Sequence, residues 1–267
     1  MKRSVFSFEI EEVAPFIDWS YFLHAWGVTK GCQPAEDVIN DAKAMLASIG
    51  NSHRTKALFA LCDAKGDGDN IIIENTTFPL LRQQHCKEDA YNLCLSDYIS
   101  PHGDKIGLFA TSIESCFGDK YANDDYLRLL SQTLADRLAE ATATLLHKKV
   151  RTDNELWGYS HNEKLTIEDL LAEKNRGIRP AVGYPSLPDQ SVIFIIDNLL
   201  HLNNAGITLT PNGAMMPHAA VCGLMIAHPQ AKYFAVGKID DEQLKDYAHR
   251  RGMSIVDAGR FLGKNIG

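Results

Sequence analysis

The spacing of apolar positions changes several times along the chain, and each change marks an element. Phe6-Ser7-Phe8-Glu9-Ile10 alternates apolar and polar residues, which predicts a half-buried strand. Between Ala35 and Ile49, residues Val38, Ile39, Ala42, Leu46 and Ile49 recur at helical spacing. Ala57 to Leu61 and Ile71 to Ile73 predict two strands joined by a Gly/Asp turn, and Leu93 to Ile99 and Ile106 to Thr111 predict two more. Asp124 to Val150 predicts the longest helix, with Tyr126, Leu130, Leu134, Leu138, Ala141 and Leu145 forming one apolar stripe. Thr166 to Lys174 predicts another, capped by Thr166 with Asp169 as its partner and with Gly177 past its end. Val192 to Leu202 predicts a helix and Ile207 to Leu209 a strand. Val221 to Ala227 and Tyr233 to Ile239 predict a hairpin turning at His228-Pro229. Asp240 and Ser254 predict the N-caps of two closing helices.

Strands and helices interleave, but several strand connections are too short for parallel crossovers. This order predicts an α+β fold, a mixed and mainly antiparallel sheet with flanking helices. No repeat, linker or composition break divides the chain, so residues 1–267 are expected to form a single domain.

Composition narrows the class. A chain of 267 residues, 45% hydrophobic and 23% charged, buries a core without disulfides. A formal charge of -7 gives no general support for nucleic-acid binding. No run approaches the length of a membrane span, so no membrane association is expected. Met1-Lys2-Arg3 leads into Glu9, Glu11 and Glu12 rather than a signal peptide. The six cysteines form no CxxC pair, which predicts reduced thiols in a cytoplasmic protein.

The loop from Asn175 to Gln190 holds Gly177, Gly183, Pro180, Pro185 and Pro188. Prolines stiffen it, and glycines permit close backbone approach. Arg179 offers a guanidinium fork suited to a carboxylate, and Tyr184 a flat ring with a hydroxyl. From these residues alone the loop reads either as a rigid connector with a solvated arginine or as a site for a small anionic or zwitterionic ligand.

Gly177-Ile178-Arg179-Pro180-Ala181-Val182-Gly183-Tyr184-Pro185 resembles the RPAxGYP motif of the reactivation module of cobalamin-dependent methionine synthase. The likeness extends to Leu134-Ala135-Asp136-Arg137-Leu138-Ala139-Glu140-Ala141, Trp157-Gly158-Tyr159, and His228-Pro229 with Lys232-Tyr233 and Ala235-Val236. It also takes in Ile17-Asp18-Trp19 with Phe22, and Asp246-Tyr247-Ala248 with Arg250-Arg251-Gly252-Met253-Ser254. The resemblance implies a free-standing module that binds S-adenosylmethionine and acts on a separate cobalamin-bearing methionine synthase polypeptide. It implies reductive methylation of cob(II)alamin, with the electron supplied by a flavodoxin-like donor. The cofactors would carry the chemistry, and the protein would supply positioning and electrostatics.

The resemblance assigns ligand contacts to Asp18, Arg179 and Tyr233, and backbone approach to Ala181 and Gly183. Phe234 stands where the family commonly has a second tyrosine. Glu140 and Glu173 match acidic positions facing the family's site, where negative charge favours a sulfonium; both also read as solvated glutamates on predicted helices. Tyr184 is expected to face cobalamin or to anchor the loop. Met215 to Gly223 departs most from the family pattern, with Met216 and His218 in a stretch usually aromatic and then small. His218 reads as a packed, hydrogen-bonded histidine or as a cobalt-side ligand. Two rival readings stand beside the one the resemblance implies: a docking subunit without the ligand, which the departure favours, and a methyltransferase partner of another corrinoid protein.

Asp63 to Glu74 mimics a calcium loop, but Lys65 stands where an oxygen ligand is needed, so a hairpin turn is expected. His85, Cys86, Cys94 and His102 match no recurring zinc spacing. No metal site and no catalytic acid, base or nucleophile is expected.

Overall fold

The computed structural model describes residues 1–50, 53–85 and 91–267. Its strands are β1 (Lys2–Glu9), β2 (Arg54–Asp67), β3 (Asn70–Ile73), β4 (Thr76–Pro79), β5 (Asp104–Ile113), β6 (Thr208–Leu209), β7 (Met215–Met216) and β8 (Ala220–Met225). Its helices are α1 (Ile10–Val13), α2 (Trp19–Ala25), α3 (Gln33–Ile49), α4 (Asp125–Thr152), α5 (Ile167–Leu171), α6 (Ile193–Leu200), α7 (Asp241–Arg251) and α8 (Ile255–Phe261). The main sheet runs β4-β3-β2-β5-β8 and is antiparallel throughout, so the fold is α+β. The first half of β2 pairs with β1 and the second half with β3, at registers Phe6↔Ala57 and Ala64↔Ile73.

The central strands are apolar on both faces because both faces are covered. Ala57, Phe59, Phe109, Ile113, Val221 and Met225 point into one core, shared with α3 and α4. Leu58, Ala60, Ile106, Leu108, Cys222 and Leu224 point into the other, shared with α6. The two-residue period of the strand thus divides one apolar run between two cores. A third, smaller cluster holds α7 and α8 through Leu244, Tyr247, Ala258 and Leu262.

Three sequence expectations require correction. Leu93 to Ile99 is not a strand; Leu95–Tyr98 forms a 3-10 turn. The Asp97 carboxylate accepts the Cys94 N–H at 2.8 Å and pairs with the Arg82 guanidinium, and this capped turn prevails over β propensity. The hairpin at His228-Pro229 does not form, because both edges of β8 are taken. β5 lies on one side, and Ile178 to Val182 on the other. Ile178 and Ile226 exchange bonds of 3.0 and 2.9 Å, Leu224 N–H donates to Pro180 O at 3.0 Å, and Val182 N–H to Cys222 O at 2.9 Å. Residues 233–238 therefore run outside the ladder and bond to the loop instead, Val236 N–H to Pro185 O at 2.9 Å. Finally, the helix begun at Thr166 ends at Leu171, short of Lys174. Its capping box with Asp169 is present, but Glu173 lies beyond the helix with φ 55°.

The calcium look-alike is the β2–β3 hairpin, in which Asp63 pairs with Lys105. Cys86 lies outside the described residues; among those described, no group of three or more His, Cys, Asp or Glu could hold a metal. No helix among the described residues is long and apolar enough to cross a membrane.

Candidate functional site

Arg137, Glu140, Ala141 and Thr144 fall on one side of α4 by helical spacing and line a cavity of about 630 Å³. Arg179, Pro180, Ala181 and Tyr184 form the wall opposite. Tyr233, Phe234 and Ala235 close a second side, and Phe16, Asp18, Tyr21, Leu170 and Glu173 a third. Residues far apart in sequence thus meet because the proline-stiffened loop is the outermost strand-like neighbour of β8.

Two glycines make that docking possible. A Cβ on Gly223 would lie 2.2 Å from Pro180 O and 2.8 Å from the Ala181 Cα, so β8 must be bare where the loop crosses it. Gly177 has φ +79°, and its Cβ would meet Ile226 O at 2.5 Å. The loop enters alongside β8 only with glycine at both positions.

Arg179 is the charged centre. Its guanidinium donates to Thr144 Oγ1 at 2.9 Å and reaches Glu140 at 3.4 Å, each side chain of this pair 21% exposed. Its backbone N–H donates to the Tyr233 hydroxyl at 2.9 Å. Burial works against the Arg179 charge, but Glu140, Tyr233 and Glu173 more than offset it and raise its pKa. The Tyr184 hydroxyl bonds to the other oxygen of Glu140. Partial desolvation raises the Glu173 pKa, with Arg179 opposing. Asp18 caps α2: its Oδ1 accepts Ser20 N–H at 2.8 Å and Tyr21 N–H at 3.3 Å. Its second oxygen has no partner among the described residues.

Behind Arg179 the packing leaves only a void of about 20 Å³ beside His147 and Arg151. Arg151, 1% exposed, binds Glu163 through Nε at 3.0 Å and Nη2 at 2.7 Å. His147 shares a 2.8 Å hydrogen bond with the Tyr159 hydroxyl. Burial holds the His147 pKa well below its ordinary value, helped by the charges of Arg151 and Arg179, so this imidazole is neutral.

Of the residues anticipated from sequence, Asp18, Glu140, Glu173, Arg179, Ala181, Tyr184, Tyr233 and Phe234 all line the cavity. Gly183 does not; its N–H donates to Leu187 O at 2.8 Å and closes the turn behind Tyr184. Tyr233 meets Arg179 through the loop backbone, a bond no motif could reveal. Thr144, Arg137, Phe16 and Tyr21 were not anticipated. The spacing Arg137, Glu140, Thr144 on a long helix was the available signal for two of them.

A smaller cavity of about 220 Å³ adjoins the first and shares Arg137, Glu140 and Tyr184 with it. Met215, His218 and Cys222 of the divergent segment complete it. His218 is not packed as one sequence reading held: its side chain is 91% exposed, with Nδ1 3.4 Å from Asp136. Another cavity of about 630 Å³ lies between the start of α4 and residues 217–219. Its charged side chains are each engaged outside any shared centre: Arg128 with Asp125, Glu114 with His53, and Asp136 with His218.

A curled antiparallel sheet with a charged cradle between a long helix and an edge-docked loop defines the class. The chain belongs to the family described as vitamin B12 dependent methionine synthase, activation domain, which matches residues 9–252. It is similar to the MetH reactivation domain in a crystal structure bound to AdoHcy. The identity is 34% and the TM-score 0.92, and the match covers all of this chain and 91% of that one.

Proposed function

We propose that this chain binds S-adenosylmethionine in the Arg179 cavity and supports reductive methylation of a cobalamin carried by a separate methionine synthase polypeptide. The observation that carries the reading is the convergence of Asp18, Glu140, Arg179 and Tyr233 on one cavity, in a member of this family. The similar reactivation domain was crystallised with AdoHcy, which has the same adenosyl and amino-acid parts.

The residues present fit the ligand. The cavity volume of about 630 Å³ lies in the range of small-molecule sites. S-adenosylmethionine supplies a methyl group activated by a positive sulfur. Arg179 takes the carboxylate; its 3.4 Å contact with Glu140 is long enough to leave guanidinium donors free. Glu140 and Glu173 provide negative charge beside the sulfonium. The free oxygen of Asp18 accepts from an amine. Tyr233 sets the Arg179 backbone and Thr144 sets its side chain. None of these residues acts as an acid or base; positioning is the contribution.

Tyr184 is 49% exposed on the rim shared by the two cavities, which suits a face turned toward cobalamin. The electron donor in this reading is flavodoxin-like. The free thiols of Cys32, Cys62, Cys94 and Cys222 suit a reducing, cytoplasmic setting. One observation favours a second reading, a role with another corrinoid protein: His218 stands exposed on the lining of the smaller cavity, two residues from the exposed Met216.

The test is reconstitution. The chain is added to an oxidised cobalamin-bearing methionine synthase lacking this module, with a reductant and methyl-labelled S-adenosylmethionine. Label on the corrinoid and return of turnover are expected. No labelling in the presence of a confirmed complex would refute the reading and favour a docking role.

A further inference from the structure

The cavity has unequal walls. Its cations, Arg137 and Arg179, stand on α4 and the loop. The wall from the N-terminal segment, α5 and the residues just after it holds no cation and offers Phe16, Tyr21, Leu170 and Leu171 with two carboxylates, Asp18 and Glu173. Most of this wall is packed: Phe16 is 7% and Leu170 5% exposed. Tyr21 is the exception. It is 64% exposed, its hydroxyl has no hydrogen bond among the described residues, and its ring stacks on no other aromatic described. Its neighbours Trp19 and Phe22 instead meet edge to face at 5.3 Å and turn inward.

The backbone that carries this ring is nevertheless fixed. Asp18 accepts the Tyr21 backbone N–H, and Phe22, fully buried, anchors the next residue. The same carboxylate therefore lines the cavity and holds the backbone from which the ring reaches the cavity lining.

We infer that Tyr21 is the specificity-determining residue for the base of the ligand, stacking its ring on a purine whose amino-acid end is held by Arg179. The inference rests on the function proposed above. The amino-acid end must sit against the guanidinium, so the flat uncharged part takes the wall of apolar side chains that carries no cation. An exposed ring at that wall loses water from one face when a base covers it, and such stacking is worth about 1–3 kcal/mol per base. Asp18, three residues before Tyr21, has its second oxygen available to an exocyclic amine.

The test is calorimetric titration of the full chain with S-adenosylhomocysteine, in intact form and as Tyr21→Phe and Tyr21→Ala. Competition by S-methylmethionine, which has the sulfonium amino acid and no base, is measured in parallel. The inference expects Tyr21→Phe to bind within about twofold of the intact protein and Tyr21→Ala to bind about tenfold more weakly. The S-methylmethionine affinity should be the same in all three. Intact protein that binds, with Tyr21→Ala binding equally well, overturns the inference alone. Equal losses for both ligands overturn it too, since Tyr21 would then shape the whole cavity. No binding by intact protein overturns the functional reading and this inference together.

Discussion

Two arginine–glutamate pairs start from α4 and lie less than a helix length apart, yet they differ in every physical respect. Arg151 and Glu163 are 1% and 8% exposed and joined by several short hydrogen bonds. Arg179 and Glu140 are each 21% exposed and meet once, at 3.4 Å. The first pair satisfies its own charges in a closed interior. The second leaves donors facing a cavity, with Thr144, Tyr184 and Tyr233 holding the groups in place. Residue types alone do not separate scaffold from site here; enclosure and bond geometry do.

The largest effect should come from breaking the closed pair. Glu163→Ala leaves the Arg151 charge buried without a partner and is expected to cost about 3–5 kcal/mol of stability. Chemical denaturation measures it. If the variant is as stable as the intact protein, the contrast between the pairs is wrong.

The next effect is the pH response of the closed side. The unfolded chain takes up the His147 proton near 6.5, while the folded chain takes it up only well below that value. The unfolded state therefore binds more protons in this window, and stability falls as pH drops below 6.5. The expected slope is about 1.4 kcal/mol per pH unit for one proton. His147→Gln should flatten it, as read from denaturation midpoints between pH 7.5 and 5.5. An unchanged slope would place the titration elsewhere.

The smallest effect belongs to the open side. Glu173→Gln removes one negative charge from a partly solvated position and should weaken the cationic S-adenosylmethionine by a few-fold. The loss for S-adenosylhomocysteine, whose sulfur is neutral, should be smaller. Equal losses for both ligands would remove Glu173 from the sulfonium's surroundings.

These contrasts bear on what the sequence makes legible. The stripe on α4, the β2–β3 hairpin and the caps at Thr166, Asp240 and Ser254 all follow local rules and appear as expected. Arg179, Asp18 and Tyr233 were found through family motifs, not through spacing. What stayed hidden depends on competition between distant segments. Nothing within Tyr233 to Ile239 tells that Ile178 to Val182 already occupies the edge of β8. Nothing near Glu173 tells that its helix stops two residues earlier and that its backbone turns left-handed. Tyr21 looks like one more member of an aromatic cluster, and only the packing of Phe22 and Trp19 leaves it facing the cavity.

The open pair carries the central claim, and titration calorimetry with S-adenosylmethionine tests it most directly. The intact protein is expected to bind. Arg179→Ala should weaken binding by about 10- to 100-fold, the loss of a charge-assisted contact, with its thermal midpoint nearly unchanged. No heat from the intact protein, or equal affinity in Arg179→Ala, would contradict the account.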